Sequence, residues 1–125
     1  MKNDNVTVFY KWKANEGKLQ ELKKMYAQVQ QDMKNNEPGA LLMDFFVDEG
    51  TNELLIHDLF ENADAVGYHL GVTAANHFPE LLKVATPGPF YFGGDLPQEM
   101  KDAALGMGLQ AQFTTFIDGF NRKAI

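Results

Sequence analysis

Two runs, ALLMDFFVD (40–48) and ELLIHDLFE (53–61), are apolar at nearly every position and are separated only by EGTN. A short connection containing glycine, set between two such runs, predicts a β-hairpin. A strand with one wet face alternates apolar and polar residues; runs this apolar predict a sheet covered on both faces. One layer of helices covers one face, so something further must cover the other. That requirement limits the chain to a few architectures.

The rest of the chain supplies the helical layer. VTVFYKW (6–12) predicts a strand with Val6, Val8, Tyr10 and Trp12 on one face and Thr7, Phe9 and Lys11 on the other. Asn15 is the expected N-cap of a helix whose Leu19, Leu22, Tyr26, Val29 and Met33 form one apolar stripe. Asn35-Asn36-Glu37-Pro38-Gly39 ends it, because the residue before a proline is disfavoured in helix and glycine permits a sharp turn. Asn62 is expected to cap a short helix starting at Ala63. Gly71 then breaks that helix, and Thr73 or Asn76 caps a second one running to about Ala85, with Pro79 in its first turn. TPGP (86–89) breaks the chain again, FYFGG gives a fourth strand, LPQEMKDAALGMG a short helix and QAQFTTFIDGF a last strand.

The order β-α-β-β-α-β, with a carboxy-terminal helix-strand extension, predicts an α+β, ferredoxin-like split β-α-β sandwich with both helices on one side of an antiparallel sheet. We expect one domain over 1–125, its core at about 6–95 and its extension at about 96–125. The uncovered apolar face predicts a face-to-face homodimer, with Leu41 and Phe45 expected toward the partner subunit. A net charge of −6 with no basic run argues against nucleic acid as a partner. The absence of cysteine removes disulfides, thiol nucleophiles and thiolate metal sites. MKNDN leads straight into a strand without the apolar segment of a signal peptide, and no apolar run approaches the roughly 18 residues of a membrane helix. The expectation is a cytoplasmic chain with no membrane contact.

The segment NEPGALLMDFFVDEGTNELLIHDLFENADAVGYHLGVTAANHFPELLK resembles the antibiotic biosynthesis monooxygenase family of dimeric α+β barrels. The likeness rests on the Glu-Pro-Gly turn into the second strand, the acidic-x-aromatic pair Asp58 and Phe60, the His69-Leu70 pair and the His77-Phe78 pair. EGK (16–18) is similar to the family's lead-in to its first helix. The family usually has glutamate and tryptophan where this chain has Asp58 and Phe60. The resemblance implies a homodimeric barrel around a pocket for a small hydrophobic or aromatic molecule. It also implies one of several chemistries, among them cofactor-free oxygenation of quinols and aromatic polyketides.

The candidate chemical groups are few. Three histidines could bind a metal with carboxylate help, but there is no HExxH and no i,i+4 histidine pair. On one unbroken α-helix His69 and His77 would stand about 80° apart in projection and about 12 Å apart along the axis. No metal is therefore expected. The haem-degrading relatives use an asparagine in the first strand and a tryptophan in the second helical region, and this chain has neither there. A cofactor-free oxygenase needs a dry pocket, a base of suitable pKa and donors for a developing oxyanion. His69 and His77 are the candidates for base or for substrate orientation, with packing or helix-end histidines as the alternative. Tyr10, Trp12, Phe60, Tyr68 and Phe78 are candidate aromatic walls, and Asn76 and Tyr91 could orient substrate oxygens. Asp58 is expected to be a semi-buried carboxylate held by a hydrogen bond. The expected function is a small oxygenase of a quinol-like or aromatic substrate without cofactor. The alternatives are a non-catalytic, stress-associated binding dimer, or an isomerase or lyase on the same fold.

Overall fold

The computed structural model describes residues 4–122; the outer limits of the expected 1–125 domain lie outside them. The central strand, β1 (Val6–Ala14), shows why the sheet is two-faced. Val6, Val8, Tyr10, Trp12 and Ala14 are buried, while the residues between them face the other way and are more exposed. Helix α1 (Leu19–Asn36) lays Leu22, Tyr26, Val29 and Met33 on that buried face. Each such side chain removed from water contributes roughly 1.5–3 kcal/mol before chain entropy is counted.

Strands β2 (Ala40–Asp48) and β3 (Glu53–Phe60) form the expected hairpin, and β3 pairs antiparallel with β1 from Val6–Phe60 to Lys13–Glu53. The chain then runs through helix α2 (Ala63–Tyr68), a π-helical turn (His69–Ala74) and helix α3 (Ala75–Leu81) before returning as β4 (Ala85–Gly93) on the other side of β1. Helix α4 (Gln98–Gly106) and β5 (Ala111–Thr114) complete the fold, giving a sheet in the order β2-β3-β1-β4-β5. This is the ferredoxin-like α+β fold with a helix-strand extension. No helix among the described residues is long and apolar enough to cross a membrane.

Several local expectations are corrected. Asn15 does not cap α1: its carbonyl accepts the Lys18 N–H at 2.9 Å, and the helix starts one turn later, at Leu19. Gly71 does not break the second helical segment. A glycine inside a helix costs only about 1 kcal/mol relative to alanine, and this segment has α1 to pack against. Thr73 and Asn76 therefore lie within the continuous helical path and Pro79 within α3, while only the cap at Asn62 forms, accepting the Ala65 N–H at 3.0 Å. The TPGP run is part of β4, accommodated by a bulge opposite Tyr10 and Trp12 and by Gly88 at φ +105°. The last strand stops at Thr114 and runs parallel to β4, so the sheet is mixed.

The outward face of the sheet also differs from expectation. Phe45 points to the helices, its ring 6.3 Å from that of Tyr26, and Leu41 sits at the bulge between Ala40 and Leu42. The large side chains on the outward face are Phe9, Phe46, Leu55 and Tyr91, each about half exposed.

The turn from α1 into β2 is tight. A Cβ on Gly39 would lie 2.7 Å from the Cβ of Ala65, well inside contact distance. Gly39→Ala is expected to destabilise the protein by about 1–3 kcal/mol, read as a lower denaturant midpoint at unchanged slope.

Candidate active site

Between the helical layer and the sheet lies a cavity walled by Tyr10, Trp12 and Phe90 from the strands, Tyr26 from α1, and Leu70 and Phe78 from the helical return. Its free space is about 40 Å³, room for a water or two and too little for an aromatic ring. A ring-sized ligand must displace side chains to enter. Met107 and Leu109, from the end of α4 and the segment after it, also line the cavity, and an unbranched methionine yields easily.

Asp58, His69 and His77 are the ionisable groups that a wall of aromatic and aliphatic side chains surrounds, along with the hydroxyls of Tyr10 and Tyr26. Asp58 is on the inward face of β3 and 1% exposed. The Tyr10 hydroxyl, from the next strand, donates to its Oδ2 at 3.1 Å, while Oδ1 has no hydrogen-bond partner among the described residues. Burial pushes the Asp58 carboxyl up to about 6, against the opposing pull of His69 and of the Tyr10 hydroxyl. Burial also holds the Tyr10 and Tyr26 phenols well above their usual range, so both remain donors.

His69, in the π-helical turn, is 7% exposed. Its Nδ1 donates to Glu37 Oε2 at 3.0 Å, because a carboxylate only accepts. Burial alone would lower its pKa. The hydrogen bond to Glu37 and the charges of Asp58 and Glu37 outweigh that, and the imidazole sits above the usual histidine value. His77 lines the same cavity, with its Nε2 2.5 Å from Oδ2 of the half-exposed Asp32 on α1.

The structure thus brings together seven of the ten residues singled out from the sequence: Asp58, His69 and His77 with Tyr10, Trp12, Phe60 and Phe78. It places the other three elsewhere. Tyr91 is on the outward face of the sheet opposite Phe9, Tyr68 borders an outer groove, and Asn76 is exposed. Both histidines line one cavity, and the π-helical turn between them is wider than an α turn. Each residue advances less around the axis, and an eight-residue separation returns nearer to the same side. Glu37, Asp32 and Tyr26 were not anticipated. Glu37 looked like punctuation in an Asn-Glu-Pro-Gly turn, and Asp32 like one polar residue on the wet face of α1. Tyr26 was placed on the core stripe but not in the site. Among the described residues no group of three or more histidine, cysteine or acidic side chains is arranged to hold a metal ion.

The family model for antibiotic biosynthesis monooxygenase matches residues 5–80. The chain belongs to that family. Among solved structures it is similar to MupZ from Pseudomonas fluorescens, at 19% identity and a TM-score of 0.80, covering 98% of this chain and 92% of that one. It is also similar to SnoaB, a cofactor-independent oxygenase from Streptomyces nogalater, at 16% identity and a TM-score of 0.64, covering 74% and 93%. Rv0793 from Mycobacterium tuberculosis is a third, at 16% identity and a TM-score of 0.60, covering 70% and 89%. At these identities the structural likenesses carry the fold alone. A sequence search of curated proteins found no match.

The raised Asp58 makes stability depend on pH. The folded state holds this proton more tightly than the unfolded chain, so the cost of ionising the buried group is absent below about pH 4. It grows through pH 6 and is complete above it, reaching about 3 kcal/mol. Asp58→Asn is expected to gain roughly that much relative to the wild type between pH 4 and pH 8. Paired denaturant titrations of the two proteins at those pH values provide the measurement.

Proposed function

We propose that this protein is a cofactor-independent monooxygenase of a small aromatic or quinol-like substrate, acting as a homodimer in the cytoplasm. The observation that carries the reading is Asp58. It is a fully buried carboxylate with one unpartnered oxygen, in an aromatic-walled cavity beside a histidine held toward its cationic form. The family match and the similarity to SnoaB, itself a cofactor-independent oxygenase, support it.

The geometry supports roles different from those of a histidine-base scheme. Asp58 Oδ1 is the base. It takes a proton from a methylene activated by a flanking phenolic ring, leaving an electron pair delocalised onto a ring oxygen. His69 Nε2–H, with the Tyr26 hydroxyl lining the same cavity, stabilises that oxyanion in a site of low dielectric, while the Tyr10 hydroxyl holds Asp58 Oδ2. The carbanion gives one electron to dioxygen, and superoxide and the substrate radical combine in a C–O bond. The resulting peroxide takes back the proton from Asp58. Loss of the second C–H proton with cleavage of the O–O bond releases water and leaves a ketone. The methylene and O2 become C=O and H2O, and every electron comes from the substrate. His77, tied to Asp32, orients the far end of the ligand.

Titratable groups in the cavity support catalysis over simple sequestration. The same Asp58–His69 pair would also serve an isomerase or lyase, which needs no oxygen. The homodimer is supported by the outward sheet face, where Phe9, Phe46, Leu55 and Tyr91 form a patch uncommon on a monomer.

Oxygen uptake by metal-stripped protein with hydroquinones, anthrones and catechols tests the oxygenase. We expect catalysed uptake, lowered about 100-fold or more by Asp58→Asn, and a larger rise in KM than fall in kcat for His77→Ala. The rate should climb through pH 6 as Asp58 ionises, then fall above the ordinary histidine range as His69 loses its proton. Uptake no faster than the spontaneous rate with every compound sinks the reading, and turnover without oxygen transfers it to isomerisation. Leu55→Glu is expected to yield a monomer by light scattering, with an unchanged dimer counting against this face as the interface.

A further inference from the structure

We propose that Glu37 is the positioning residue of this site, fixing His69 with Nε2 turned into the cavity. It depends on the oxygenase reading only for its kinetic consequence; the geometry stands on its own. Glu37 is held from several sides. Its N–H donates to the Met33 carbonyl at 2.9 Å, closing α1, and its own carbonyl accepts the Ala40 N–H at 3.0 Å, opening β2. The side chain is thereby carried inward to 5% exposure, where Oε2 receives His69 Nδ1–H. Gly39, two residues on, lets the turn lie directly on Ala65 of α2, one helical turn before His69.

A buried imidazole has two nitrogens, and which of them faces a ligand is decided by what the other one bonds. Here Nδ1 is taken by Glu37, so Nε2 is what the cavity meets. Turning the ring over would leave the Glu37 oxygen and an N–H unpaired in the interior, at the full cost of unmade buried hydrogen bonds. The groups facing His69 from the packed elements are Glu37 after α1 and Asp58 on β3, itself bonded to Tyr10 on β1; the Phe60 ring lies 5.3 Å away. Of the two carboxylates, only Glu37 touches the imidazole. Glu37 therefore sets both the direction and the charge of the group that meets the substrate oxyanion, without touching substrate itself.

The test is 1H–15N correlation spectroscopy of the imidazoles across a pH titration; the chain has three histidines, so the signals can be assigned by single replacement. In the wild type, Nδ1 of His69 should stay protonated throughout, with Nε2 losing the proton at high pH. Glu37→Gln keeps an acceptor but removes the charge, so the Nδ1–H tautomer should persist while the midpoint falls by about one pH unit or more. Glu37→Leu removes both, and the tautomer preference should be lost as well. A wild-type midpoint and tautomer in Glu37→Leu, with circular dichroism unchanged, overturns the proposal. If that variant does not fold, an unchanged midpoint in Glu37→Gln does the same. With a substrate that turns over, Glu37→Gln should lower kcat by roughly tenfold and leave KM within about twofold. An inactive wild type would refute the oxygenase and leave the imidazole result to stand or fall separately.

Discussion

A carboxylate on the buried face of the strand next to the sheet's centre is expensive to keep, and much of the structure around Asp58 reduces that expense. Isolated charges in a protein interior cost several kcal/mol unless partners meet them. Three such groups, Asp58, His69 and Glu37, come from β3, the π-helical turn and the end of α1. His69 offsets the two carboxylates, which oppose each other, only if the hairpin, the helical return and the α1–β2 turn all dock in register. Tyr10 adds a hydrogen bond that depends on the pairing of Val8 with Asp58 and of Tyr10 with Ile56. A one-residue slip of β3 against β1 would turn Asp58 to the outward face and break the cluster. The polar centre thus specifies register as well as chemistry.

That dependence explains what could be read in advance. Strand and helix periods are local, so the alternation in VTVFYKW, the Leu22–Met33 stripe, the hairpin and the Asn62 cap were all legible, and with them the fold. The π-helical turn was not. Gly71 and Thr73 carry ordinary break and cap signals, and only packing against α1 makes a continuous helical path the better solution. The site was half legible for the same reason. Asp58, His69 and His77 declared themselves by type, whereas Glu37 acquires its meaning from a residue 32 positions away. That Tyr91 lies on the outward face was not legible, because a strand reads the same from either face until its neighbours are known.

The cavity also shows where family likeness stops being informative. The family match ends at residue 80, yet Leu81, Phe90, Phe92, Met107 and Leu109 all line the cavity. The helix-strand extension is therefore part of the site's wall. A similarity covering 98% of the chain, as with MupZ, includes it, while the likeness to SnoaB covers 74%. Asp58, His69 and His77 lie within the matched region. The side chains that set the size and shape of the cavity lie partly beyond it.

Closure and charge then act together. With free space for a water or two, the cavity keeps Asp58 in a setting where its proton is held to about pH 6, and any ligand that enters displaces what little solvent there is. Displacing it strengthens the field of His69 within the cavity and weakens the solvation of Asp58 further. On the proposed reading, a substrate that brings its own acidic proton is the kind of guest this arrangement would favour, because transferring that proton to Asp58 would relieve the buried charge as the oxyanion formed beside His69. A neutral, non-acidic guest would bring no such proton, and the drier surroundings would drive Asp58 to take one from solvent instead. On the proposed oxygenase reading, a preference for an acidic ring would follow from the cavity's electrostatics, independent of which side chains grip the rest of the molecule.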